Sequence, residues 1–444
     1  MKNIGIIIVD EEHDSSYKQN NSPRYNGRDA ALVRAKINNA VIILGSATPS
    51  LESYYNMKTG KYQLLSLTKR ATNIKLPDIE IVDLKTQYDR KELKTSEDFL
   101  ELIDKTRVRF LSKKLIYLIS ERIDKKESVI LLQNRRGYHS YIECLNCGNV
   151  EMCIRCNISL TYHKIFNNLK CHYCGFSKPL ITKCSNCGSA HLIQMGTGTE
   201  KVEEELIKLF PKAVIKRVDS DYITSAKKYQ EVLNDFYNKK IDVLVGTQLL
   251  SKGLDFPNVT LVGVINADIG LLYPDFRASE RTFQILTQVA GRSGRDLVEG
   301  EVLIQTNHSE YEVFKYIKTH DYINFYDNEI KLREKTLYPP YSRIALIEMK
   351  SMDRNICESK IKEIYNFIRS NDKNKILDLL PPNPPLFFKQ KDYFRYHLLI
   401  KSPKTKDKSG NYLLSILHKA KEYADKNFPQ SVRMIIDMDA IDLL

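Results

Sequence analysis

At 444 residues the chain is long enough for about three domains, and 42% hydrophobic with 28% charged residues is a globular composition, not that of a collagen or a disordered tail. Its longest apolar runs, Ile6-Ile7-Ile8-Val9 and Val41-Ile42-Ile43-Leu44, fall far short of the ~20 residues of a bilayer crossing, and the first runs straight into Asp10-Glu11-Glu12, unlike a signal peptide; a cytoplasmic protein with no membrane partner is expected. The 68 Lys+Arg against 55 Asp+Glu give a net charge of +13, which favours a polyanionic partner such as nucleic acid.

In chain order, the first segment alternates buried strand and helix: a strand over Ile6 to Val9, a helix about Arg28 to Ala35, a strand over Val41 to Leu44, a helix after Pro49 and a third strand near Gln63 to Leu67. This is the start of a parallel, doubly wound sheet, but too few elements to cover both of its faces. A charged connector, Thr68 to Thr95, leads to a second α/β region. Its expected strands are Val129 to Leu132, Val214 to Val218, Val243 to Val245, Thr260 to Ile265 and Val302 to Gln305, with helices at Lys201 to Leu209, Lys227 to Tyr237 and Ser279 to Ala290. After Tyr338-Pro339-Pro340-Tyr341 the order becomes strand (Ile344 to Lys350), helix (Asn355 to Ile368), two strands around Leu386 to Lys401, helix (Tyr412 to Tyr423) and strand (Val432 to Ile436), which is a split βαβ, ferredoxin-like order.

Eight of the nine cysteines interrupt the second region as four Cys-x-x-Cys pairs: Cys144/Cys147, Cys153/Cys156, Cys171/Cys174 and Cys184/Cys187. In a reducing compartment such a cluster binds metal, and two zinc sites of four cysteines each would use all eight thiolates. Gly148, Gly175 and Gly188, with Asn157, follow the second cysteine of each pair, where a tight knuckle needs positive φ. Three pairings of the pairs are possible. The 14 residues between Cys156 and Cys171 suit a ribbon, which favours the nested arrangement: Cys153, Cys156, Cys171 and Cys174 on one ion, Cys144, Cys147, Cys184 and Cys187 on the other. Two occupied sites lower the net charge to about +9, still basic.

Asp10-Glu11-Glu12-His13 lies at the C-terminal end of an apolar strand, where α/β sheets bind ligands; in a nucleoside triphosphatase such carboxylates hold Mg2+ and orient water. Gly45-Ser46-Ala47-Thr48 follows the next strand, as in the Ser-Ala-Thr motif of superfamily 2 helicases. Gly246-Thr247-Gln248 with Lys252-Gly253-Leu254-Asp255 follows a later one. Gln288-x-x-Gly291-Arg292-x-Gly294-Arg295 ends a helix and offers guanidiniums suited to a γ-phosphate.

With Ser16-Tyr17-Lys18-Gln19, Arg24-Tyr25, the four cysteine pairs, Gly196-Thr197-Gly198-Thr199-Glu200, Asp275-Phe276-Arg277-Ala278-Ser279-Glu280-Arg281 and Tyr338-Pro339-Pro340-Tyr341, the chain resembles the primosomal replication-restart helicases of the PriA family, over the later part of that family's chain. The resemblance implies two RecA-like helicase lobes with the first incomplete (residues 1–68), the second over 69–142 and 189–336, a two-zinc insertion over 143–188 and an α+β domain over 337–444. It implies a 3′ to 5′ DNA helicase acting at forks, with Asp10, Glu11, His13, Gln288, Arg292 and Arg295 in the ATP cleft. Tyr17, Lys18, Arg24 and Tyr25 would form an aromatic-rich loop coupling DNA to that cleft, joined by Ser46, Thr48, Thr247, Gly253 and Asp255. Forked or single-stranded DNA, primosome proteins and single-stranded DNA-binding protein are the implied partners.

One departure matters more than these matches. No Gly-x-x-x-x-Gly-Lys-Ser/Thr occurs: at Gly60-Lys61, Tyr62 stands where the hydroxyl residue is required and Tyr55 where the first glycine is. ATP and Mg2+ are therefore expected only if a missing first-lobe segment is supplied, and the favoured expectation is a split helicase whose N-terminal half is separately encoded. The alternative is a zinc-dependent DNA- or primosome-binding module without catalysis.

Overall fold

The computed structural model describes residues 3–67, 77–85, 110–133, 141–144, 147–163, 167–194, 199–218, 225–247, 258–291, 300–441 and 443. Its centre is a six-stranded, all-parallel sheet in the order Ile215–Val218, Val243–Gly246, Ser128–Gln133, Val259–Asn266, Glu301–Thr306, Asp78–Asp83. Parallel strands are covered on both faces, which is why their sequences are continuous apolar runs. Alternate residues go to opposite layers. Ile130, Leu132, Val262, Val264, Val302 and Ile304 pack on one side with Phe283, Phe314 and Phe325. Val129, Leu131, Val243, Val245, Leu261 and Leu303 face Leu115, Ile119, Val202 and Leu206 on the other.

The expected strands and helices of this region are present. Among the described residues four further helices lie outside the expectation: Lys113–Asp124, capped by the Ser112 hydroxyl accepting from Leu115 N, the short Asp268–Leu271, and Glu312–Lys318 and Tyr322–Lys335. The expected connector also contains Asp78–Asp83, the edge strand of the sheet; its 68–76 and 86–95 portions lie outside the described residues.

The N-terminal segment is a two-stranded parallel sheet, Ile6–Val9 beside Val41–Leu44, with helices Gly27–Asn38 and Leu51–Lys58. The expected third strand near Gln63 to Leu67 is not there: the backbone is irregular and Leu64, Leu65 and Leu67 are exposed, because no neighbour among the described residues pairs with it. This segment is anchored on the second region through Leu51, fully buried in the main core, and through the Tyr322 hydroxyl donating to Pro49 O.

The C-terminal region is an antiparallel sheet in the order Asp378–Leu379, Tyr393–Pro403, Ser342–Ser351, Arg433–Met438, with helices Arg354–Asn371 and Asn411–Asn427 packed on one face. The order is ferredoxin-like as expected, with one correction. The second strand of the sheet, Asp378–Leu379, lies before the Pro381-Pro382-Asn383-Pro384-Pro385 run, and the two strands expected around Leu386 to Lys401 are the two-residue Lys389–Gln390 and Tyr393–Pro403. No described helix is long and apolar enough to cross a membrane.

Candidate functional site

The acidic box sits at the C-terminal end of the Ile6–Val9 strand and is the meeting point of three segments. Its Glu12 is buried and accepts from Ser50 N (2.6 Å), Ser50 Oγ (3.1 Å), Ser53 Oγ (2.8 Å) and Arg28 Nη1 (3.0 Å). Burial works against the Arg28 charge, but Asp29, Glu12 and Glu52 outweigh it and raise its pKa. His13 Nδ1 lies 2.7 Å from Ser46 Oγ, which also accepts from Thr48 N at 3.0 Å. The box is thus joined to the Ser46-Ala47-Thr48 turn. Gln288, from helix Ala278–Ala290, donates to Glu11 Oε1 at 3.1 Å and ties the box to the second region. Gln284 Nε2 reaches Thr48 O at 3.4 Å, and Glu280 Oε1 accepts Leu51 N at 2.9 Å, closing the first turn of helix Leu51–Lys58. Among the described residues the Asp10 carboxylate accepts only its neighbour's amide, Glu11 N, at 3.0 Å, and it is exposed.

Asp10, Glu11, His13, Ser46, Thr48 and Gln288 are therefore brought together. Thr247 lies at the end of strand Val243–Gly246, its amide donating to Val218 O at 3.3 Å. Gly253, Asp255, Arg292 and Arg295 lie outside the described residues. The exposed Asp10 and half-buried Glu11 carboxylates suit Mg2+, and the described residues provide no amide cradle for a triphosphate beside them.

The loop after the box is held between the box and the C-terminal sheet. Tyr17 donates to Asp10 O at 2.7 Å, and Tyr25 is half exposed. Lys18, however, is buried, donates to Met438 O (2.7 Å) and Arg24 O (3.1 Å) and is ion-paired with Asp437 Oδ1 at 2.7 Å, while Arg24 Nη1 lies 3.5 Å from Asp437 Oδ2. Two of the Lys18 ammonium protons are spent on carbonyls and its charge is met by Asp437, all inside the protein. Lys18 is a tie to the C-terminal sheet and not a group held out to phosphate.

The cysteines form two sets, Cys144/Cys147/Cys184/Cys187 and Cys153/Cys156/Cys171/Cys174, each with its sulfurs within 4.8 Å of one another, which is the nested pairing. Sulfur separations of 3.6, 3.5 and 3.5 Å are close to the ~3.8 Å edge of a tetrahedron with ~2.3 Å Zn–S bonds. Each knuckle closes the same way: Gly148, Asn157, Gly175 and Gly188 take positive φ and donate their amides to Cys144, Cys153, Cys171 and Cys184 O. The residues fit two Zn2+.

The two sites differ in setting. Cys153, Cys156, Cys171 and Cys174 are all buried in one core with Phe276, Tyr338, Ile344, Leu346 and Leu399, where Tyr338 stacks on Phe276 at 4.1 Å; Cys187 of the other set is exposed. Glu12 and Glu280 stand inside stretches singled out in the sequence, but without a role of their own, while Arg28 and Arg333 stand in no motif. The structure alone reveals the pairing: Arg333 is fully buried, paired with Glu280 at 2.7 Å.

Comparison with known proteins bears out the PriA resemblance. Residues 153–179 match the PriA DNA helicase Cys-rich region (CRR) domain, 189–296 the helicase conserved C-terminal domain and 334–441 the primosomal protein N C-terminal domain. Over 439 residues the chain is 40% identical to the replication restart protein PriA of Bacillus subtilis (strain 168), covering 99% of this chain and 52% of that protein. This chain is PriA-like. The PriA of Haemophilus influenzae (strain ATCC 51907 / DSM 11121 / KW20 / Rd) is 37% identical over 443 residues, 99% of this chain and 57% of its own. The PriA-like chain thus spans about half the length of the curated relatives it matches. Among solved structures, S. cerevisiae Dbp5 bound to RNA and ADP BeF3 aligns at TM-score 0.36 and 14% identity, over 76% of this chain and 64% of that one, too distant to argue from.

Proposed function

We propose that this chain is the later portion of a replication-restart helicase. It binds forked or single-stranded DNA in the cytoplasm and supplies the acidic box and second lobe of an ATP-dependent 3′ to 5′ motor, whose phosphate cradle comes from a first-lobe segment outside this sequence. Its domains are residues 1–68 (first-lobe portion), 69–142 with 189–336 (second lobe), 143–188 (zinc insertion) and 337–444 (α+β domain). Primosome proteins and single-stranded DNA-binding protein are the proposed protein partners. The observation that carries the reading is the Gln288 to Glu11 hydrogen bond, which joins a carboxylate at the end of a first-lobe strand to a helix of the second lobe. Such a contact has a use when a nucleotide sits between them, since phosphoryl transfer draws on positioning and charge from both sides.

The test is to measure DNA-stimulated ATP hydrolysis by the purified chain, by a polypeptide spanning the preceding part of a PriA relative, and by their mixture. Hydrolysis by the mixture alone, abolished by Glu11→Gln, supports the proposal. Rapid turnover by this chain alone defeats it. The absent cradle favours a second reading, a zinc-dependent DNA- and primosome-binding module without catalysis, for which the mixture would bind DNA and hydrolyse nothing.

A further inference from the structure

The buried cysteine set poses a charge problem that its own loop does not solve. Four thiolates around one Zn2+ leave two negative charges, and a charge shut away from water must be met by donors or counter-charges. The exposed Cys187 lets water serve the other set, whereas Cys153, Cys156, Cys171 and Cys174 are all buried. Within the loop, the Arg155 and Phe176 amides donate to the Cys153 and Cys174 sulfurs, and Lys170 is the cation beside Cys171. What remains, at Cys156, is supplied by the C-terminal region. Tyr338 is 1% exposed, and its hydroxyl is buried without an oxygen or nitrogen partner; the acceptor it bears on is the Cys156 sulfur. Lys401, from strand Tyr393–Pro403, is buried with its Nζ 4.1 Å from the centre of the Tyr338 ring, and with Cys156 and Arg155 it lines a cavity of about 410 Å3. The Cys156 and Cys174 sulfurs act on its charge. Its hydrogen bond to Thr336 O (2.8 Å) spends one ammonium proton, and its ion pair, with Asp378 at 3.7 Å, is to a partly exposed carboxylate. The loop is pressed onto the same region: Asn383 leaves no room for a Cβ on Gly175, whose φ is +74°, and His172 Nδ1 lies 3.1 Å from Pro384 O.

We infer that Tyr338 and Lys401 complete the buried zinc site from outside the insertion, the Tyr338 hydroxyl donating to the Cys156 thiolate and the Lys401 ammonium offsetting the charge at Cys156 and Cys174. Both are positioning residues, and neither is a ligand. Outer partners of this kind set metal affinity by about 10- to 100-fold. The ion of the buried set is therefore held at full strength only while the C-terminal sheet is docked on the insertion. Metal retention in that set reports on the docking, and the exposed set carries no such dependence.

The experiment uses the full chain carrying Cys187→Ser, in which only the buried set is complete, loaded with Zn2+ and titrated against a chelator of known affinity. A parallel sample loaded with Co2+ gives the sulfur-to-metal charge-transfer band. Tyr338→Phe and Lys401→Met should each weaken zinc binding about 10-fold or more and move the band to longer wavelength, because a sulfur that loses its donor or counter-charge gives up an electron more easily. Lys401→Arg, which keeps the charge, should restore most of the affinity. Asp378→Asn, which removes the Lys401 ion pair and leaves the cation in place, should weaken nothing. Tyr338→Phe differs by one oxygen and keeps the ring stacked on Phe276, so it stays folded and decides the matter whatever Lys401→Met does to stability. A lowered melting temperature with zinc affinity and the cobalt band unchanged overturns the inference, leaving both residues as packing alone. Weakened affinity with an unmoved band overturns it as well, since loosened packing would do that much. A Cys187→Ser chain that holds no ion overturns it together with the two-site assignment.

Discussion

Glu12 shows how much a single side chain can organise. A carboxylate with side-chain exposure of 1% is tolerable only because four donors, one of them a guanidinium, meet it, and removing the guanidinium leaves a buried charge without a counter-charge. Arg28→Ala should therefore cost about 3 kcal/mol in urea denaturation, and adding Glu12→Gln should restore part of that loss. A single-substitution loss below about 0.5 kcal/mol, the scale of an ordinary surface change, would show that the pair is solvated. Glu348 gives a pH prediction. Burial works to raise its carboxyl, but the bond to His397, with Arg395 and Lys350, holds it far below the ordinary 4.5. The folded state thus binds this proton more weakly than the unfolded state does. Its contribution is in place above the unfolded value and is lost as pH falls below about 4.5. Thermal melts of Glu348→Gln should show a lower stability at neutral pH and a flatter acid limb than the wild type.

At the scale of elements, the two metal knuckle pairs make unequal demands on their surroundings. Cys153, Cys156, Cys171 and Cys174 share a core with Tyr338, Phe276 and the C-terminal sheet, whereas Cys187 is exposed. Both Cys174→Ser and Cys187→Ser should reduce measured zinc from two ions per chain to one. Cys174→Ser should in addition lower the melting temperature by several degrees more, because it disturbs packing between the insertion and the C-terminal sheet. Equal effects would mean that the buried set is insulated from that core. The knuckles are legible in sequence because their information is local: a Cys-x-x-Cys pair and the following Gly or Asn lie within one turn. The central strands are legible for the same reason, each an apolar run covered on both faces. Helix Lys113–Asp124 is not, since Leu115-Ile116-Tyr117-Leu118-Ile119 is equally a strand-like run and only its two buried pairs reveal the helical face. Nor is the edge strand Asp78–Asp83, whose partner Glu301–Thr306 lies far along the chain. Lys18 is the extreme case: what it binds is at Met438, 420 positions later, and nothing near it in sequence says so.

For the molecule as a whole, the decisive feature is the surface left open beside the acidic box. The register Ile6↔Val41 and Ile8↔Ile43 puts these four side chains on one face of the two-stranded sheet, and all four are exposed, Ile8 at 66%. A doubly wound sheet is stable when both faces are covered, and an uncovered apolar face with open strand edges is a site of association. The proposed first-lobe segment would cover it by adding parallel strands and their helices. In its absence the same face should drive the chain to associate with itself. The paired substitution Ile8→Asp with Ile43→Lys should then reduce the sedimentation coefficient at high concentration while moving stability by no more than about 0.5 kcal/mol, because neither side chain packs in the core. The same pair should also prevent the polypeptide spanning the preceding part of a PriA relative from restoring DNA-stimulated ATP hydrolysis, although every residue of the acidic box is intact. Restoration by the doubly substituted chain would show that the open face is not where the motor is completed.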